Sequence, residues 1–151
     1  MTLETVLMAV SKEDTERSEK LVRAAADIAG PAEATVALTH VFKENEYDTI
    51  LTDLGFEEDS EVTPTVVAQR YAPIKEIRAQ LESEGVSCEI HGSLSEGSVG
   101  NQLVELAAEV EADLVIVGGR KRSPAGKAAF GSTAQKVLLT AHCPVTFVRS
   151  D

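Results

Sequence analysis

The chain has no tryptophan, and aromatic residues make up only 4% of its 151 positions. A core without large rings must be assembled from Val, Leu, Ile and Ala, a composition that suits strands sandwiched between alanine-rich helices. Cysteine is scarce too. Cys88 and Cys143 form no C-x-x-C pair or other metal-binding spacing, so each reads as a buried free thiol in a reducing compartment. Positive charge is in short supply: 14 Lys and Arg stand against 25 Asp and Glu, a net charge of -11. Neutralising nucleic-acid phosphates needs a basic face, so bulk DNA or RNA binding is disfavoured. Attraction to an anionic membrane surface is disfavoured for the same reason. The acidity fits a salt-rich cytoplasm or an ordinary soluble surface equally well. No apolar run approaches the ~20 residues of a membrane span. The N-terminus lacks a basic region and a cleavage site, so the expected location is the cytoplasm.

What the chain does have is enough length, with 43% hydrophobic and 26% charged residues, for one soluble domain over residues 1–151. Thr5–Val10 is an apolar run of strand length. Leu21, Val22, Ala25, Ile28 and Ala29 recur at helical spacing, with Asp14 or Thr15 as cap and Gly30-Pro31 as the stop. Thr35–Val41 is a second strand. Phe42–Thr63 is acidic and shows no sustained period, which predicts a long loop or lid. Pro64 opens one helix with Val67, Tyr71, Ile74, Ile77 and Leu81 on a single face, stopped at Gly85. Val86–Gly92 is a strand. Gly97-Ser98 begins a helix with Leu103, Leu106, Ala107 and Val110 facing inward. Asp113–Gly118 is an apolar strand. A helix capped by Ser132 follows, and after Pro144 comes the last strand, Val145–Val148.

Apolar strands alternating with helices predict an α/β fold, a parallel sheet covered on both faces. With right-handed crossovers and strand order 3-2-1-4-5, the order reverses between strands 1 and 4. Ligands of such sheets bind at the carboxyl ends of the strands at that point. Those ends are "AVSKED" and "VGGRKRS".

The second of these is the anomaly in an acidic chain. Arg120, Lys121, Arg122 and Lys127 crowd into one loop bracketed by Gly118-Gly119 and Gly131-Ser132-Thr133. Glycine lets a ligand approach the backbone. Ser132 and Thr133 sit at a helix start, where unpaired N–H groups and the dipole favour an anion. The four cations add charge, with Arg suited to bidentate phosphate contacts. Together they point to a phosphate-bearing ligand, most simply a nucleotide. Solvated loop charges, or contact with an acidic partner chain, are the competing readings. A Walker loop fails because Gly126-Lys127 precedes Ala128, and no G-x-G-x-x-G follows strand 1.

"VLMAVS", "THVF" and "ADLVIVGGRKRSPAGKAAFGSTAQKVLLTAHCPVTFVR" resemble the universal stress protein family over essentially the whole length, and most over the last third. Nucleotide-binding members of that family carry G-x-x-G-x9-G-[ST] after strand 4. Gly118 and Gly131-Ser132 hold the outer positions, and Lys121 stands at the second glycine. Ser11 stands where such members carry an adenosine-contacting Asp. The resemblance implies a Rossmann-like fold of the adenine nucleotide alpha hydrolase type. It implies an adenosine pocket from Val10, Ser11, Val41 and Val117, with phosphates at Gly118, Lys121, Gly131, Ser132 and Thr133. It implies ATP, AMP or ADP as ligand, Mg2+ accompanying the phosphates, and a homodimer paired through the C-terminal strand. The three valines also read as plain core residues. A non-nucleotide interaction module of the same fold is the alternative.

Dedicated catalysis finds little support. His40, His91 and His142 are far apart in sequence, and His40 reads as a hydrogen-bonded structural residue. Ser98, Ser123 and Ser132 lack a nucleophile-elbow context. Glu57–Glu61 lacks calcium-loop spacing, and no metal motif is present. Slow ATP hydrolysis is the most this sequence would support. Related ATP-using enzymes carry an S-G-G-x-D-S loop after strand 1, which "AVSKEDTE" does not match.

Overall fold

The computed structural model describes residues 2–12, 18–56, 62–119 and 131–149. The strands are β1 (Thr5–Ala9), β2 (Thr35–Lys43), β3 (Ser87–Ser95), β4 (Leu114–Gly119) and β5 (Val145–Arg149). They form one sheet of order β3-β2-β1-β4-β5 in which every pairing is parallel. The predicted α/β architecture and strand order therefore hold. The helices are α1 (Ser18–Ala32), α2 (Glu44–Asp53), α3 (Pro64–Arg70), α4 (Ala72–Ser83), α5 (Val99–Glu109) and α6 (Ser132–Thr140). No described helix is long and apolar enough to cross a membrane.

Successive side chains of a strand point to opposite faces, so each central strand feeds two cores. On one face Val6, Met8, Val36, Leu38 and Ile116 pack with Leu21 and Ala25 of α1 and Ile74, Ile77 and Leu81 of α4. On the other, Leu7, Val41, Val115 and Val117 pack with Leu103, Leu106 and Ala107 of α5 and Ala134 and Val137 of α6. This double burial is why the strands read as continuous apolar runs.

Three expectations change. First, residues 42–63 are not mainly loop: β2 runs on to Lys43 and α2 follows directly. Tyr47, Ile50 and Leu51 lie three and four residues apart and pack on the first core. The helix ends where Gly55, at φ +80, lets Phe56 N–H reach the Leu51 carbonyl at 3.0 Å. The acidic stretch Glu57–Glu61 lies outside the described residues.

Second, the helix expected from Pro64 to Leu81 is two helices, broken at Tyr71, which is extended (φ -74, ψ 126). Pro73 has no N–H to offer the carbonyl four residues back, and its ring crowds that carbonyl. The apolar face survives the break, with Val67, Ile74, Ile77 and Leu81 all buried.

Third, α1 passes through Pro31 to Ala32 before turning at Glu33 in the left-handed region (φ 54). There Ala34 N–H bonds the Ala29 carbonyl at 3.0 Å. Glu111 (φ 54) ends the α5 segment the same way, with Ala112 N–H on Ala107 O at 2.9 Å. A Cβ is strained in that conformation. Glu111→Gly is therefore expected to raise stability by about 0.5–1 kcal/mol in urea unfolding.

Smaller shifts complete the comparison. β1 stops at Ala9, β3 runs to Ser95 and β4 to Gly119. Ser98 caps α5 as expected, accepting from Asn101 N–H at 3.2 Å. The Asp14 or Thr15 cap of α1 lies outside the described residues.

Candidate functional site

β1 lies between β2 and β4, so the chain reverses its strand order there. Met8 pairs with Ile116, which puts Val10 level with Gly118 at the carboxyl end of the sheet. Ser11 leaves β1 at this point, Gly118-Gly119 close β4, and α6 begins at Ser132.

The structure divides the valines expected to line this place. Val10 (3% exposed) packs in the α1 and α4 core, whereas Val41 (6%) and Val117 (2%) pack in the α5 and α6 core. Their side chains are core. The backbone of Val10 is also engaged: its N–H donates to Thr39 O at 2.8 Å, and its carbonyl accepts from His40 Nδ1 at 2.6 Å. Val10 thus shapes the exit of β1.

His40 is a hydrogen-bonded buried residue, as the sequence suggests. Its Nε2 lies 3.2 Å from Glu46 Oε1, and its ring stacks near Phe42 and Tyr71 with centroids 4.5 and 4.6 Å away. Sequence reasoning missed that this bonding reaches Val10.

At β4 the two glycines differ. Gly119 is buried, and a Cβ there would meet the Phe147 ring at 2.6 Å. It is glycine because β5 lays an aromatic ring across it. Gly118 is part-exposed. Beyond it, Arg120, Lys121, Arg122 and Lys127 lie outside the described residues.

At α6 the expectation of a Ser132 cap is corrected. Gly131, extended at φ -63 and ψ 159, is the N-cap; its carbonyl accepts from Gln135 N–H at 3.0 Å, and no side chain among the described residues caps the helix. Ser132 is already the first helical residue. A Cβ on Gly131 would meet nothing within 4 Å among the described residues. Gly131 and Ser132 are exposed and Thr133 is half-buried.

The amino ends of β4 and β5 present a different surface. A shallow hollow of about 450 Å³ is lined by Ala108, Glu111, Ala112, Asp113, His142, Cys143 and Pro144. Its chemistry is unpromising. Burial, followed by the Asp113 charge, raises the Cys143 thiol pKa, and a protonated thiol is a poor nucleophile. Cys88 is likewise half-buried rather than fully buried, and burial pushes it to about 11. Asp113 serves the fold: its Oδ2 accepts from Glu4 N–H and Thr5 N–H at 2.9 and 3.0 Å, tying β4 to β1. Those two bonds lower its pKa. A depressed native pKa contributes stability above the unfolded value, lost as pH falls through the native one. The thermal midpoints of wild type and Asp113→Ala should therefore differ at neutral pH, begin to draw together as pH falls past ~4, and coincide only below the lowered native pKa.

The sequence profile of the universal stress protein family matches residues 2–149. The chain belongs to the universal stress protein family. A universal stress protein of Methanocaldococcus jannaschii is 34% identical over 76 residues, which is 50% of this chain and 44% of that protein. The alignment thus spans under half the length of that curated relative. Among solved structures, a universal stress protein from Archaeoglobus fulgidus superimposes with a TM-score of 0.71 at 26% identity, covering 99% of this chain and 100% of that one. A universal stress protein from the same organism in complex with dAMP gives 0.70 at 21% identity, covering 99% and 100%. A universal stress protein solved in complex with cAMP gives 0.69 at 22% identity, covering 100% of both chains. These last two likenesses establish a shared fold. Among the described residues, no group of three His, Cys, Asp or Glu side chains is arranged for a metal.

Proposed function

We propose that this universal stress protein, folded as one domain over residues 1–151, binds an adenine nucleotide where β1 and β4 end. The observation that carries the reading is local. The α6 N-terminus is capped by a bare glycine on a helix that packs against β4, and β4 ends at Gly118-Gly119 next to the point of strand reversal. Helix N–H groups there are suited to phosphate oxygens. Ser11 and the strand-end backbones of Val10, Val41 and Val117 would form the adenosine side; Gly118, Lys121, Gly131, Ser132 and Thr133 would form the phosphate side. The dAMP and cAMP complexes of proteins with this fold support an adenine ligand.

AMP, ADP and ATP all fit this chemistry, and ATP adds most charge for the basic loop to meet. Magnesium would arrive with the phosphates, because no described carboxylate cluster offers it a cage. The role proposed for this binding is regulatory, in a stress response within the cytoplasm.

The assembly is a homodimer paired through β5, with neither nucleic acid nor membrane as partner. β3 and β5 are the sheet margins. The β3 margin is occupied at Gly92, where Thr65 Oγ1 accepts from Gly92 N–H at 3.2 Å and donates to its carbonyl at 3.4 Å. Leu138 and Leu139, on the helix leading into β5, are 37% and 75% exposed.

A non-nucleotide interaction module is the second reading, favoured by Lys121 at a glycine position and Ser11 at an aspartate position. Mass spectrometry of the freshly purified protein separates the two. A dimer carrying stoichiometric adenine nucleotide supports the first reading. A dimer that stays bare when mixed with AMP and ATP supports the second.

A further inference from the structure

We infer that His40 is a positioning residue for the nucleotide site, fixing the Val10–Ser11 peptide through the Val10 carbonyl and coupling it to α2 through Glu46. The inference rests on the nucleotide-binding reading above and deepens it.

The strand that must deliver Ser11 to the ligand is short. β1 ends at Ala9, and Val10 is held beyond it by two bonds to β2. One is ordinary sheet pairing to Thr39 O. The other comes from a side chain, His40 Nδ1, at 2.6 Å. A carbonyl only accepts, so Nδ1 carries the proton in this bond. That bond fixes the plane of the peptide whose other half is the Ser11 N–H.

The ring has little freedom. Its side chain is 7% exposed and sits against Phe42 and Tyr71. Its far nitrogen faces Glu46 Oε1 at 3.2 Å. The same oxygen accepts from Lys43 N–H at 3.3 Å, closing the first turn of α2. One carboxylate oxygen therefore orients the ring and starts the helix. Glu46, His40 and the Val10 carbonyl form a continuous line from α2 to the β1 exit. A buried bond this short is costly to leave half-made, because the carbonyl would lose its partner without regaining water.

Two amide substitutions separate the two ends of the ring. Asn places an N–H near the Nδ1 position and can still serve Val10. Gln places one near Nε2 and serves Glu46 only. In calorimetric titrations with AMP, His40→Gln is expected to weaken binding by about tenfold, and His40→Asn to stay within about threefold of wild type. The Ser11 amide nitrogen shift in the nucleotide-free protein should move in His40→Gln and return toward the wild-type value in His40→Asn. Glu46→Ala, on a part-exposed side chain, keeps the ring in the core. It carries the test if the His40 variants do not fold, with an expected weakening of about threefold. Equal affinities in all folded variants would overturn the inference. Equal weakening by Asn and Gln would also overturn it, since ring packing rather than the Val10 bond would then matter. Wild-type protein that binds no AMP overturns the nucleotide reading and this inference with it, a result distinct from binding that ignores His40.

Discussion

Gly131→Val is expected to weaken AMP binding by about a hundredfold while the protein stays folded. The two halves of this result have separate causes. In the nucleotide-free protein a Cβ at Gly131 meets nothing within 4 Å among the described residues. Its backbone, at φ -63 and ψ 159, suits a β-branched side chain. Losing a glycine cap costs only a few tenths to about 1 kcal/mol. The ligand sees something different. Two methyl groups stand over the first turn of α6, where phosphate oxygens would meet the Ser132 and Thr133 N–H groups. Charge-assisted bonds of that kind are strong, and they need close approach. Urea unfolding and calorimetry on one preparation read both halves.

Gly92→Ala has the opposite profile: a large loss of stability, about 2–3 kcal/mol, at a position far from α6. β3 passes under the start of α3 so closely that a Cβ at Gly92 overlaps the Pro64 carbonyl, with Pro64 C at 2.6 Å and Ala68 Cβ at 2.9 Å. The Pro64 atoms are backbone and the Ala68 Cβ is fixed to its own backbone, so no flexible side chain can yield. The helix must lift, which breaks the Thr65 contacts that occupy the β3 margin. Thermal unfolding should fall by roughly 5–10 °C. An unchanged midpoint would mean that α3 packs less closely than described.

How far the sequence reveals this molecule depends on which force decides each feature. Double burial writes itself into apolar runs, so β1, β2 and β4 were legible. The part-exposed margins β3 and β5 were legible as short strand-like runs beside Gly85 and Pro144, and the order from the handedness of the crossovers. Ser98 was legible as a cap because its geometry is local. Helix α2 carried a readable signal in Tyr47, Ile50, Leu51 and Leu54, but the acidic residues between them hid it. The break at Tyr71 was written in Pro73, two residues on, although the apolar period ran straight across it.

The candidate site was legible as a set of positions and not as a geometry. Periodicity places Val10 and Val41 at strand ends but does not assign them to opposite cores; register does. The need for glycine at 119 comes from Phe147, 28 residues on and on the neighbouring strand. The tie from His40 to Val10 spans 30 residues. No local pattern encodes such contacts, since they exist only after β1 and β2 have paired. Ser132 was misjudged by a single residue, which is the precision at which helix ends are decided.

Calorimetric titration of the wild-type protein with AMP, and with ATP in the presence of magnesium, tests the central claim most directly. Saturable binding at one site per chain, lost in Gly131→Val and retained in the folded fraction of Gly92→Ala, is the predicted result. Absence of heat with either nucleotide, together with no displacement of a fluorescent adenine nucleotide by folded protein, would contradict it.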